Sequence, residues 1–162
     1  MTWQTCKHSA NTRTMTSKLP NTSRSLPIAL IRAREGVMFP IREMLTKTGI
    51  TEQQWRVLRV LSEFGALDTS TLANRASLLF PSLTRIATTM RNKGLISQKR
   101  DDNDRRRQII TITEAGQKLI DDYTDQSAQI VVGFRETLGD ANYEQLLDLL
   151  EQLDPGSKQP RA

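Results

Sequence analysis

The residues of this chain best suited to binding chemistry are three consecutive arginines, Arg105 to Arg107. They end a polar loop over residues 99–107, and short runs of β-forming residues flank that loop at 95–98 and 108–112. This pattern predicts a hairpin with a cationic tip. Because neighbouring residues of a hairpin alternate sides, we expect Arg105 and Arg107 to point the same way. Guanidinium groups bind phosphates and enter narrow minor grooves, so the tip is suited to DNA. A charge-rich surface turn is the alternative.

The segment before the hairpin has the pattern of an amphipathic helix. Apolar residues recur at helical spacing at Leu79, Leu83, Ile86 and Met90, and Gly94 marks the end of the helix. The opposite face carries hydroxyl groups and one arginine: Ser82, Thr84, Arg85, Thr88 and Thr89. Hydroxyls can bond phosphates or base edges, and an arginine can hold guanine through two hydrogen bonds. A solvated helix face is the alternative. We favour DNA contact, with Arg85 as the strongest single candidate.

Several further helices must position these two features. A long first helix is expected from about residue 27 to 47, with a kink or break at Pro40 and a stop at Gly49. Thr51 opens a capping box, which predicts a helix as far as Phe64. Its expected core stripe is Val57, Val60, Leu61 and Phe64, with Trp55 and Leu58 as a second buried side. A short helix over 70–76 then precedes the one that begins near Pro81.

After the hairpin, Thr113 is expected to cap a helix that runs to about residue 137, and a leucine-rich last helix follows Gly139. The fold class is therefore mainly α, with a winged helix-turn-helix domain over residues 50–113. The stripe of the last helix is too apolar for an isolated helix. We therefore expect residues 25–48 and 114–154 to form a helical dimerisation region.

Charge is distributed unevenly along the chain, whose net charge is +5. Residues 85–107 hold eight bases and three acids, whereas residues 108–154 hold two bases and ten acids. A basic segment beside an acidic one fits a protein that presents one face to phosphates. Residues 1–24 carry four bases and no acid, lack periodicity and are expected to be a disordered basic tail; residues 155–162 form a second tail.

Other classes of protein are disfavoured by the composition. One cysteine and one histidine provide neither a disulfide framework nor a metal-binding set, and neither a phosphate loop nor a nucleophile–base motif is present. Asp121, Asp122 and Asp125 fit a solvated helix face better than a catalytic site. No apolar run reaches the length of a membrane span, and no secretory signal is visible. We expect a cytoplasmic protein that is not an enzyme and uses no cofactor.

Five short motifs resemble the MarR family of transcriptional regulators over residues 25–154 of this chain. They are TEQQW at 51–55, PSLTR at 81–85, KGLI at 93–96, DRR at 104–106 and ITEAG at 112–116. The segments at 25–35 and 51–59 resemble more narrowly the branch that represses homoprotocatechuate (4-hydroxyphenylacetate) degradation operons. Pro40 and the long basic tail depart from the family pattern.

The resemblance implies a repressor that binds a near-palindromic double-stranded operator as a homodimer. Its first and last helices would interlock, and a small aromatic carboxylate would act as inducer. In the wing, the family pattern implies that Asp104 pairs with one arginine while another reaches the minor groove. The candidates for effector binding are Ser25 and Arg32 on the first helix and Trp55 and Arg56 on the second. Trp55 is equally suited to a plain core position, and either arginine to solvent.

Two alternatives stay open at this point. One is a redox-responsive or ligand-independent regulator. In the redox case Cys6 would be a peroxide sensor, but a thiol in a polar tail lacks the neighbours that activate a thiolate. A winged-helix module that binds a protein partner would have little use for the basic wing.

Overall fold

A computed structural model describes residues 21–101 and 104–154 of the chain. The predictions for residues 1–20, including Cys6, and for the tail at 155–162 lie outside the described residues. The chain divides between Gly36 and Val37 into two units. Before that point, Thr22–Arg24 form a 3₁₀ turn that Asn21 caps, and the first helix, α1, begins.

Helix α1 spans Leu26–Leu45 with Pro40 inside it, so the helix is not broken at this proline. A proline removes one backbone donor, but the helix continues for five residues beyond it. Residues after Leu45 form a turn to Gly49, whose φ of 68° lies in the left-handed region. The helix therefore ends earlier than expected, and Gly49 completes the turn rather than capping the helix itself.

The second unit is built around helix α2, Glu52–Phe64. Thr51 caps it through the predicted capping box, in which its hydroxyl accepts from Gln54 N and the Gln54 side chain accepts from Thr51 N. Gly65 ends the helix with a φ of 75°. Val57, Leu58 and Leu61 are fully buried and Trp55 is buried beside them, which confirms both predicted buried sides, but Phe64 is exposed. Its ring lies under the Arg75 guanidinium, 4.0 Å from the ring centroid.

The helix-turn-helix follows as α3, Thr69–Arg75, and α4, Phe80–Asn92. Leu83 and Met90 are fully buried and Ile86 packs against the core, as the helical spacing predicted. Leu79 was expected on the same stripe and is instead 77% exposed. Leu79 precedes the first residue of α4 and lies beyond the part of the helix that packs on the core.

Three antiparallel strands form a small sheet in the order β1-β3-β2. The predicted hairpin consists of β2, Ile96–Arg100, and β3, Gln108–Ile112, paired from Ile96 with Ile112 to Arg100 with Gln108. Strand β1, Leu67–Asp68, was not expected; it pairs with β3 and joins the hairpin to the helices. A strand of two residues has no periodicity that a sequence pattern could reveal.

Helix α5 spans Glu114–Leu138 and α6 spans Asp140–Leu153, separated by Gly139 as expected. Thr113 caps α5 by accepting from Gly116 N. Arg135 joins the two helices: its guanidinium bonds Asp140 at 3.0 Å, bonds Glu144 and lies over the Tyr143 ring. In their C-terminal parts both helices expose large apolar side chains: Val131, Val132, Leu138, Leu146, Leu147, Leu149, Leu150 and Leu153.

Candidate nucleic-acid interface

The outward face of α4 carries the side chains that the sequence analysis selected. Thr84, Arg85, Thr88 and Thr89 are exposed and Ser82 is partly exposed, while the apolar side of the helix packs on the core. An open groove of about 630 Å³ follows this face and is completed by the start of α2. Its lining from α2 was not foreseen: Thr51, Gln53 and Gln54. The helix therefore presents one continuous polar surface beside a groove.

Hydrogen bonds along α4 limit what its threonines can offer to a partner. Thr84 Oγ1 donates to Phe80 O at 3.1 Å, Thr88 Oγ1 to Thr84 O at 3.0 Å and Thr89 Oγ1 to Arg85 O at 3.2 Å. With its proton used in this way, each hydroxyl can accept a hydrogen bond but cannot donate one. Phosphate oxygens and the guanine edge in the major groove only accept. Without a change of rotamer, these threonines can accept only from the amino groups of adenine or cytosine.

Arg85 lies at the middle of this face. Its side chain makes no hydrogen bond or ion pair within the part of the chain that the structure describes. Its five donors are therefore available to a planar acceptor pair such as guanine O6 and N7.

The wing is the loop between β2 and β3, and its backbone is closed by Asp104. Asp104 Oδ1 accepts from Arg106 N at 3.0 Å, and Asp104 O accepts from Arg107 N at 2.8 Å. Asp104 thus shapes the turn through backbone groups, and it forms no ion pair with an arginine side chain of the described residues. Arg105 and Arg106 are exposed at the tip.

The third wing arginine has a partner within the fold. Arg107 Nη2 donates to Asp68 Oδ2 at 2.8 Å, although the two residues are 39 positions apart in sequence. Asp68 is also the N-cap of α3, since its Oδ1 accepts from Ser70 N and Thr71 N. Arg107 therefore connects the wing to the first helix of the helix-turn-helix.

The ionisation of Asp68 reflects this position. Its partial burial would by itself raise the pKa, but hydrogen bonds from the Thr71 hydroxyl and backbone N–H, together with the Arg107 guanidinium, lower the pKa to about 2. The carboxylate is thus charged at any physiological pH. The sequence signal for it was an aspartate directly before Thr69, which is a cap pattern.

The base of the wing is locked to α5 at Gly116. A Cβ at this position would lie 2.2 Å from Leu95 O, 2.9 Å from Ile112 Cγ1 and 3.2 Å from Leu58 Cδ2. Beside it, Thr113 N donates to Leu95 O at 3.1 Å and Thr113 Oγ1 to Gly94 O at 2.6 Å. The ITEAG motif has a glycine at this position because the first turn of α5 lies directly against the backbone of Leu95, the residue before β2.

The effector candidates occupy different settings. Trp55 is a core residue at 6% exposure. Arg56 Nη1 donates to Ala76 O at 3.1 Å and Ser77 O at 3.4 Å, in the turn between α3 and α4. That turn holds Ser77 at a φ of 50°, in the left-handed region. In the first unit, Ser25 directly precedes α1 and Arg32 is exposed on it.

Within the described residues, no cluster of three or more potential metal ligands occurs. Over the same residues, no helix is both long and apolar enough to cross a membrane.

Comparisons with known proteins agree with this geometry. Residues 50–107 match the model of the MarR family. The chain is 40% identical over 129 residues to the HTH-type transcriptional regulator FarR of Neisseria gonorrhoeae, covering 80% of this chain and 88% of that protein. It is 38% identical over 130 residues to the homoprotocatechuate degradative operon repressor of Escherichia coli, covering 80% and 86%.

Among solved structures, the chain is similar to NadR in complex with 4-hydroxyphenylacetate. The two are 38% identical with a TM-score of 0.73, and the match covers 87% of this chain and 99% of NadR. These matches extend over the helices on both sides of the winged helix-turn-helix. The chain belongs to the MarR family of transcriptional regulators.

Proposed function

We propose that this protein is a transcriptional repressor of an aromatic-compound catabolic operon, released from its palindromic operator by a small aromatic carboxylate. The observation that carries DNA binding is the exposed polar face of α4, with Arg85 at its centre, next to the basic wing. Residues 85–107 hold eight of the bases of the chain against three acids. The acidic helices that follow would be kept away from phosphates.

In this proposal α4 enters the major groove and the wing lies along the adjacent minor groove. Arg85 would read a guanine, and Ser82, Thr84, Thr88 and Thr89 would line the contact. Arg105 and Arg106 are the wing residues that we assign to the minor groove, because Arg107 is held by Asp68. Asp104 would keep the wing in shape through its backbone contacts.

A homodimer would place two copies of α4 on one face of the operator. Its support is the set of exposed apolar side chains on α5 and α6, of which Leu149 and Leu153 are more than half exposed. A group of exposed apolar side chains on two neighbouring helices marks a candidate protein–protein interface. Two reading helices bind successive major grooves when they are about 34 Å apart. A regulator of this kind would act in the cytoplasm and would not be an enzyme.

For the effector, the support is the identity of 38% to NadR, whose structure contains 4-hydroxyphenylacetate, and to the homoprotocatechuate repressor. Arg32 is our first candidate for the carboxylate and Ser25 for a polar group of the ligand. Trp55 is a buried core residue and is therefore a weaker candidate. Release would follow if the effector binds best to a conformation in which the reading helices are wrongly spaced.

Arg56 provides a physical route for such a difference between conformations. Its guanidinium holds the carbonyls of Ala76 and Ser77 directly before α4. If the effector's carboxylate bound Arg56 instead of Arg32, it would compete with these carbonyls and loosen the turn that orients α4. The ligand would then have a different binding free energy in the two conformations, as a population shift requires.

The experiment is an electrophoretic mobility-shift assay with the full chain and the promoter region next to its own gene. We expect binding that prefers this sequence over random duplex and weakens as salt rises. 4-Hydroxyphenylacetic, homoprotocatechuic and cinnamic acids should release the complex. Equal affinity for random DNA would refute the repressor. Selective binding that none of these acids reverses would refute the aromatic effector alone.

A further inference from the structure

The start of α4 exposes two large apolar side chains that none of the proposed contacts uses. Leu79, its N-cap residue, is 77% exposed and Phe80, its first residue, is 53% exposed. Leu78, directly before them, is turned inward and packs against the core. The turn thus packs Leu78 against the core and leaves Leu79 exposed at the N-terminal end of α4.

A helix-turn-helix places the N-terminal residues of its second helix against base edges in the major groove. There the C5-methyl group of thymine is an apolar feature of the base pair. We propose that Leu79 and Phe80 recognise thymine methyl groups of the operator. This inference rests on the proposed DNA-binding function and specifies what one end of that interface reads.

The surroundings of the two side chains favour a base edge over a protein partner. The patch is small: Leu79 and Phe80 are followed by Pro81, which is also exposed, and then by the partly exposed Ser82. A stable protein–protein interface buries about 800 Å² on each partner, far more than two side chains supply. Arg85, five residues after Phe80 on the same helix, is assigned to a guanine edge, so the two apolar side chains adjoin the part of α4 that reads bases.

The test replaces single thymines of the footprinted operator with deoxyuridine, which removes only the methyl group. Binding of the full chain is measured by fluorescence anisotropy. At one or two positions we expect the replacement to weaken binding about fourfold, which corresponds to the free energy gained by burying one methyl group. Leu79→Ala or Phe80→Ala should bind thymine and deoxyuridine duplexes equally at the corresponding position. Leu79→Met, which keeps the apolar volume, should retain the preference for thymine.

The controls separate this inference from the function on which it rests. If the chain does not prefer its operator to random duplex, the proposed function fails. If it prefers the operator but no deoxyuridine replacement changes the affinity, only the thymine contact is refuted. A Leu79→Ala variant that binds every duplex more weakly while keeping the same thymine-to-deoxyuridine ratio would also overturn it. Because Leu79 is so exposed, this variant should fold, which circular dichroism verifies.

Discussion

Replacing Gly116 with alanine should destabilise the whole winged domain through a single methyl group. The new Cβ would lie 2.2 Å from Leu95 O, so the helix and the strand must separate by roughly 1 Å to restore a normal contact. Overpacking of this kind costs about 1–3 kcal/mol, and the rigid backbone oxygen favours the upper end of that range. Separation also weakens the hydrogen bond from Thr113 N to Leu95 O, a loss of about 1 kcal/mol.

The higher helix propensity of alanine returns about 1 kcal/mol, so the net loss of unfolding free energy should be about 3 kcal/mol. Urea denaturation followed by circular dichroism, at one fixed protein concentration, measures it. Gly133→Ala on the same helix is the matched control, because a Cβ there meets no atom of the described residues within 4 Å apart from its own stretch of helix. It should be neutral or slightly stabilising. The reasoning is refuted if the Gly116→Ala variant loses no more stability than the Gly133→Ala variant.

Three further predictions concern Asp68 and the wing. Since the pKa of Asp68 falls from 3.8 to about 2 on folding, its contribution of about 2 kcal/mol is present above pH 4 and lost as pH falls towards 2. Acid unfolding of wild type and Asp68→Asn should show this difference, and parallel pH profiles would contradict it. A double-mutant cycle of Asp68→Ala and Arg107→Ala should give a coupling below about 1 kcal/mol because Arg107 is half exposed, and a much larger value would argue against that. Arg106→Ala should lower the slope of log affinity against log salt by about one unit, whereas Arg107→Ala should change it less; the reverse order would assign the minor groove to Arg107.

Much of the secondary structure could be predicted from the sequence because its signals are local. The hydroxyls of Thr51 and Thr113 each bond a backbone N–H three residues further on, and both helix starts were confirmed. The glycines at 65 and 139 adopt the positive φ that ends a helix. The family was equally accessible, because its motifs at the recognition helix and the wing are short and contiguous. The residues assigned to DNA and effector binding stay predictions.

The sequence predictions that were wrong concern the burial of particular side chains. Leu79 and Phe64 have apolar types at helical spacing, yet both lie where the core ends and are exposed. Periodicity identifies a face of a helix but not how far along that face another element covers it. For the same reason, a two-residue strand at Leu67–Asp68 was invisible until its pairing with β3 was seen.

The sequence by itself determined the kind of molecule: helices with defined ends, a basic hairpin, an acidic leucine-rich end and a family. Only the tertiary structure decided which wing arginine is held by Asp68 and that a side chain at position 116 would meet the carbonyl oxygen of Leu95. It also showed that Arg56 supports the turn before α4. Caps and periodicity depend on residues a few positions apart, whereas these contacts join residues 20 or more positions apart. Such contacts exist only once the elements are packed. The residues that lie between the two partners in the sequence do not reveal how close the partners come in space.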